Sequence, residues 1–106
     1  MSPLPIVAET SFRGGARIGW FNATWPFARL TVSADRVVLS CFRTLHFTAH
    51  DIESFQNYGS IPWVWYGIRI RHRRSDLPNK IVFWYLGDRD DIRLALRAHG
   101  FAATIA

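Results

Sequence analysis

Cys41, His46, His50 and Asp51 are the residues whose types and spacing come closest to covalent chemistry. A thiol, an imidazole and a carboxylate are the parts of a nucleophile activated by a base that a third group orients. The spacing argues against that use. Cys41 shares a strand parity with Val37 and Leu39, the place of a small buried hydrophobe. His46 and His50 lie ~13 Å apart in extended chain, too far to share a metal ion unless a turn near Thr48-Ala49 folds them together. No further ligand stands at a metal-binding spacing. His72 falls on an inward parity and reads as a hydrogen-bonded core histidine. The sequence contains no glycine-rich phosphate loop, paired-carboxylate motif or HExxH run. It predicts no catalytic, cofactor-binding or metal residues, and no enzyme.

Binding chemistry is better represented. Arg69, Arg71 and Arg73 alternate, so a strand sets them ~7 Å apart on one face, with Arg74 following. Such a row suits phosphates or an acidic partner surface. Alternatively, Glu53 or Asp76 neutralises it across strands. The run Ile61-Pro62-Trp63-Val64-Trp65-Tyr66 is apolar on both parities and follows a loop. If exposed, Trp63, Trp65 and Tyr66 mark a partner-binding surface. The competing placement puts one set of rings in the core and the other over a barrel mouth. Among the binding roles, self-association ranks above lipid, because flanking lysines are missing.

The elements that carry these residues read as short strands. Residues 1–15 form an N-terminal tail or edge strand, with Gly14-Gly15 as a turn. A first strand covers about Ala16–Ala23, with Ile18, Trp20 and Asn22 on one parity, and Trp25-Pro26 closes it. Phe27–Ser33 then alternates, with Ala28, Leu30 and Val32 facing in and Arg29, Thr31 and Ser33 facing out. Val37, Leu39 and Cys41 continue the inward face, as do Leu45 and Phe47. Ile52 and Phe55 are both buried only if the fifth strand bulges. Tyr66, Ile68, Ile70 and His72 form the inner parity of the sixth. Ile81–Leu86 is apolar on both sides, so it needs cover on both. Phe27, Phe47 and Phe83 read as structural rings. A helix over about 88–99 is capped by Asp88, carries Ile92, Ala95, Leu96 and His99 at helical spacing, and ends at Gly100. The expected fold is mainly β with one C-terminal α-helix, in a single domain over residues 16–106.

Composition narrows the classes. The chain has 106 residues, 49% of them apolar and only 20% charged, which excludes disorder. Thirteen Lys and Arg against eight Asp and Glu give +5, and only Lys80 among the thirteen is a lysine. That balance favours anionic partners. Cys41 has no partner for an internal disulfide. No stretch approaches the ~20 apolar residues of a membrane span, and no leader is visible, so a cytoplasmic location is expected.

The run from Trp20 to Val32, with Trp25-Pro26 inside it, resembles the opening of small bacterial pleckstrin-homology-like (PH-like, GRAM-related) domains. Ile81-Val82-Phe83-Trp84 and the helix end His99-Gly100-Phe101 share the likeness. The resemblance spans roughly Trp20 to Phe101. It implies a seven-stranded, partly open barrel or sandwich capped by the helix, and a binding or assembly role without chemistry. Members that bind phosphoinositides carry clustered Lys and Arg on the first hairpin, whereas Asn22–Pro26 has none. The function expected is a non-enzymatic module that binds a protein partner or forms a homo-oligomer through its aromatic surface. The alternative is electrostatic binding of an anionic lipid surface through the Arg row, peripheral to a membrane, with nucleic acid ranked below lipid.

Overall fold

The computed structural model describes residues 9–61 and 65–101. In chain order it contains β1 Thr10–Ile18, β2 Phe21–Val32, β3 Arg36–Ser40, β4 Thr44–Thr48, β5 Ile52–Ile61, β6 Trp65–His72, β7 Ile81–Tyr85 and α1 Arg89–Ala98. All pairings are antiparallel. The strand order is β4-β3-β2-β1-β7-β6-β5, so β4 and β5 are the two edges. The sheet curls into a half-barrel, and the fold is mainly β with a C-terminal helix, as the alternation predicts.

The inward parity builds the core. Leu30, Val32, Val37, Leu39, Phe47, Ile68 and Ile70 are all buried in one cluster. Ile92, Ala95 and Leu96 of α1 join it, so the apolar stripe of the helix covers the inner face. Burying each such side chain is worth roughly 1.5–3 kcal/mol. Ile52 and Phe55 are both buried, and the β5–β6 register shifts between Ile52 and Ser54, which is the bulge their spacing requires. Ile81, Val82 and Phe83 are all buried. Phe83 points into the core. Val82, on the outer side, lies in register between Arg17 and Arg69. Their aliphatic stems flank it.

α1 starts and stops where the sequence indicates. The Asp88 carboxylate accepts from Asp90 N at 2.9 Å, and Asp90 pairs with Arg93. At the other end Gly100 has φ +88°, Gly100 N donates to Arg97 O, and Phe101 N donates to Leu96 O. This is a left-handed glycine cap with its two back-bonds and a buried Phe101.

The first hairpin differs from expectation. Residues 1–8 lie outside the described residues, and residues 10–15 are not a tail: β1 takes them in and pairs with β2 from Thr10 onward, whereas β7 joins only from Gly15, so Thr10–Gly14 are paired on one side as an edge is. Gly14-Gly15 is not a turn. The chain reverses at Gly19-Trp20, where Gly19 has φ +63°, and Trp20 is 88% exposed. The predicted strand Ala16–Ala23 is therefore the two arms of that hairpin. Nor does Trp25-Pro26 end a strand. Gly15 alone faces the four residues Thr24, Trp25, Pro26 and Phe27 in a large bulge of β2. The two glycines serve close approach instead. A Cβ on Gly14 would lie 2.0 Å from Trp84 O, and one on Gly15 would lie 2.8 Å from Ala23 O. Phe27, expected to be structural, is 64% exposed because it stands on the parity opposite the buried Ala28, Leu30 and Val32.

Candidate functional site

The arginines of residues 69–74 do not form one free row. β6 ends at His72, so only Arg69 and Arg71 sit on the strand. Arg71 Nη2 lies 3.6 Å from Glu53, the cross-strand neutralisation considered above. Arg73 folds back on the β4–β5 turn, with Nη1 donating to His50 O at 2.8 Å and to Ile52 O at 3.0 Å. Arg74 donates from Nη1 to His46 O at 2.6 Å and grips Asp76 with Nε and Nη2. That grip holds the Asp76 carboxyl below the usual carboxylate range and raises the Arg74 guanidinium. Arg73 and Arg74 thus tie the start of the β6–β7 loop to edge strand β4 and to the turn leading into edge strand β5. Arg74 commits Nε, Nη1 and Nη2 to the fold, and Arg73 commits Nη1.

His72 is fixed by the same loop. Arg74 N donates to its Nδ1 at 3.1 Å, so Nε2 carries the proton and donates to Pro78 O at 2.7 Å. Its ring packs on Phe47; it is hydrogen-bonded as the parity suggests, but it is half-buried and lies outside the core cluster, so it is not the core histidine expected.

On the outer side of β1, β7 and β6, cations gather around Tyr58. Lys80 Nζ stands 5.1 Å from the Tyr58 ring centroid. A hydrogen bond with Lys80, and the charges of Lys80, Arg17 and Arg69, pull the Tyr58 phenol below its ordinary value. Arg17 Nε donates to Gly19 O, and Arg69 Nη2 reaches Asn79 O at the 3.5 Å limit of hydrogen bonding. Trp84 meets Tyr58 edge to face and lies over Gly67, where a Cβ would come within 2.7 Å of the indole.

The exposed aromatics of the described residues lie elsewhere. Trp63 falls outside the described residues, and so do the side chains of Trp65 and Tyr66, which open β6. Around the first hairpin and the β3–β4 turn, Trp20, Phe42, Phe27 and Trp25 are all exposed. Phe42, at 76% exposure, packs edge to face on Phe21 with centroids 5.4 Å apart. That contact joins the tip of the β1–β2 hairpin to the β3–β4 turn in one aromatic surface.

Beside it, on the outer face of β1–β3, is a recess of about 310 Å³ lined by Arg13, Pro26, Phe27, Ala28, Arg29, Ser40 and Cys41. Arg13 and Arg29 are direct cross-strand partners, and Arg29 in turn faces Ser40. Sequence reasoning missed this site. Alternation places Arg29 outward, but Arg13 falls in a segment that reads as tail and turn.

The residues closest to covalent chemistry are used structurally. A turn does form at Thr48–Asp51, where the Asp51 carboxylate accepts from Thr48 N at 3.0 Å. That bond holds the Asp51 carboxyl low. Cys41 is half-buried against the core. Among the described residues no three His, Cys, Asp or Glu are grouped to hold a metal ion. Compared with protein-family models, with curated proteins and with solved structures, the chain shows no match, so its functional reading rests on its own geometry.

Proposed function

We propose that this chain is a non-enzymatic, PH-like interaction module that binds a protein through the aromatic surface at its first hairpin. The observation that carries the reading is the exposure of Trp20 and Phe42, 88% and 76%, next to the Phe21–Phe42 contact. Clustered exposed rings cost solubility unless a partner covers them. Aromatic anchors are also the residues that dominate protein contacts. The half-barrel with its C-terminal helix agrees with what the PH-like resemblance implies. Cys41 has no hydrogen-bonded imidazole among the described residues, which supports binding over chemistry. The alternative, an anionic surface held by Arg69, Arg71, Arg73 and Arg74, has weaker support. Arg71 already pairs with Glu53, and Arg73 and Arg74 already donate to backbone carbonyls within the chain.

A displayed library of random peptides, selected on the immobilised chain, tests the reading. A Trp20→Ser/Phe42→Ser double variant serves as counter-target. Peptides enriched on the native chain and at least tenfold poorer on the variant support it. Light scattering on the same samples shows whether a second copy is the partner. Equal enrichment on both proteins, or no enrichment together with a strict monomer, overturns it.

A further inference from the structure

The Arg13–Arg29 pair is electrostatically odd. Two arginines stand directly opposite each other across an antiparallel pair, and like charges so placed destabilise a sheet. The ion pairs of the described residues engage Arg36, Arg71, Arg74 and Arg93, and neither Arg13 nor Arg29 has a hydrogen-bond partner among those residues. Relief cannot come from the neighbouring strands, since β1, β2, β3 and β4 contain no Asp or Glu. Yet the pair lines a shallow, open recess with a hydroxyl, Ser40, in the same cross-strand row and an exposed ring, Phe27, on its wall.

We infer that this recess takes a carboxylate of an acidic peptide segment, with an apolar neighbour of that acid resting on Phe27. The inference rests on the reading of the chain as a protein-interaction module, and it names the chemistry of the partner. Two arginines lining one recess suit an oxyanion with two acceptor atoms. The volume, about 310 Å³, is at the small end of ligand sites and matches a side chain or a chain terminus. Nucleic acid fits poorly, because a polyanion needs a track of cations along its phosphates and this site offers two. A flat anionic membrane fits poorly too. It offers no apolar neighbour to rest on Phe27 beside each headgroup, whereas an acidic peptide does.

The test uses the acetylated, amidated peptide Gly-Asp-Phe-Asp-Gly and its isosteric Asn form, titrated into ¹⁵N-labelled chain. The acidic peptide is expected to move the amide resonances of Arg13, Ala28, Arg29 and Ser40, and the Asn peptide to bind at least tenfold more weakly. Arg13→Gln and Arg29→Gln each reduce the acidic peptide's affinity about tenfold, with the rest of the spectrum unchanged. Trp20→Ser/Phe42→Ser leaves the recess in place. Failure of the acidic peptide beside a successful library selection therefore removes this subsite alone. Equal binding of the Asn peptide overturns the inference, as do resonance changes elsewhere. So does tighter binding, through Arg13 and Arg29, of oligouridylate or of phosphatidylserine vesicles.

Discussion

Removing one arginine of the Arg13–Arg29 pair should stabilise the free protein. Two unit charges on directly opposed long side chains, taken as about 7 Å apart in water, repel by roughly 0.6 kcal/mol. Screening at 0.1 M salt, with a Debye length of about 10 Å, halves this to roughly 0.3 kcal/mol. The result falls within the ~0.2–1 kcal/mol range of cross-strand pairs. For a domain of this size it corresponds to a rise of roughly 1–3 °C in melting temperature. Arg29→Gln and Arg13→Gln should each show it, and the double variant should gain nothing beyond one of them, because a single substitution already abolishes the repulsion. Arg29→Lys keeps the charge and should leave stability unchanged. The gain should also shrink severalfold in 1 M NaCl, where the Debye length is about 3 Å. Urea is the denaturant to use, since guanidinium chloride would screen the effect being measured. If the single variants are less stable than the native chain, or if their effects add, the two charges are not in conflict. The acidic-peptide inference then loses the observation that motivates it.

Two further substitutions test the fold beneath the site. Gly14→Ala would put a methyl group 2.0 Å from Trp84 O, so β1 and β7 must part, with a loss above about 3 kcal/mol out of a total of roughly 5–15 kcal/mol. Gly100→Ala meets open space and pays only the strain of φ +88°, about 1 kcal/mol, so urea midpoints no lower for Gly14→Ala than for Gly100→Ala would refute the close-approach reading. Acid should weaken the staple between β4 and the β6–β7 loop. The Asp76 carboxyl is held below its ordinary value by Arg74, so its stabilisation is complete above the usual carboxylate range and disappears as pH falls through the lowered value. Urea midpoints at about pH 6 and about pH 3 should differ less in Asp76→Asn than in the native chain, and an unchanged difference would count against the staple.

What the sequence made legible was whatever depends on near neighbours. Asp88 and Gly100 mark the helix because a cap is a contact within a few residues. The bulge in β5 could be anticipated because Ile52 and Phe55, three apart, cannot both face inward on a regular strand. Gly14-Gly15 misled for a physical reason. Glycine serves a turn and serves a place where two backbones touch, and only the position of β7 tells the two apart. With the turn misplaced, the start of β1 was invisible, and so was the large bulge of β2 that ends at Phe27.

The same distinction explains which arginines looked functional and which have no partner among the described residues. Alternation along one strand reveals a face, and it made Arg69, Arg71 and Arg73 conspicuous. It says nothing of what stands opposite. Glu53 faces Arg71, and two backbone carbonyls receive Arg73, so a conspicuous row turns out to be a set of structural ties. Arg13 and Arg29 lie sixteen positions apart and meet only through a register that the β2 bulge shifts by three residues. Their charge conflict is a property of the pairing, and neither strand shows it alone. In a small basic β-domain, then, the cations to examine for binding are those that the register leaves opposed to one another. Cations that merely alternate along a strand have neighbours close by to neutralise them.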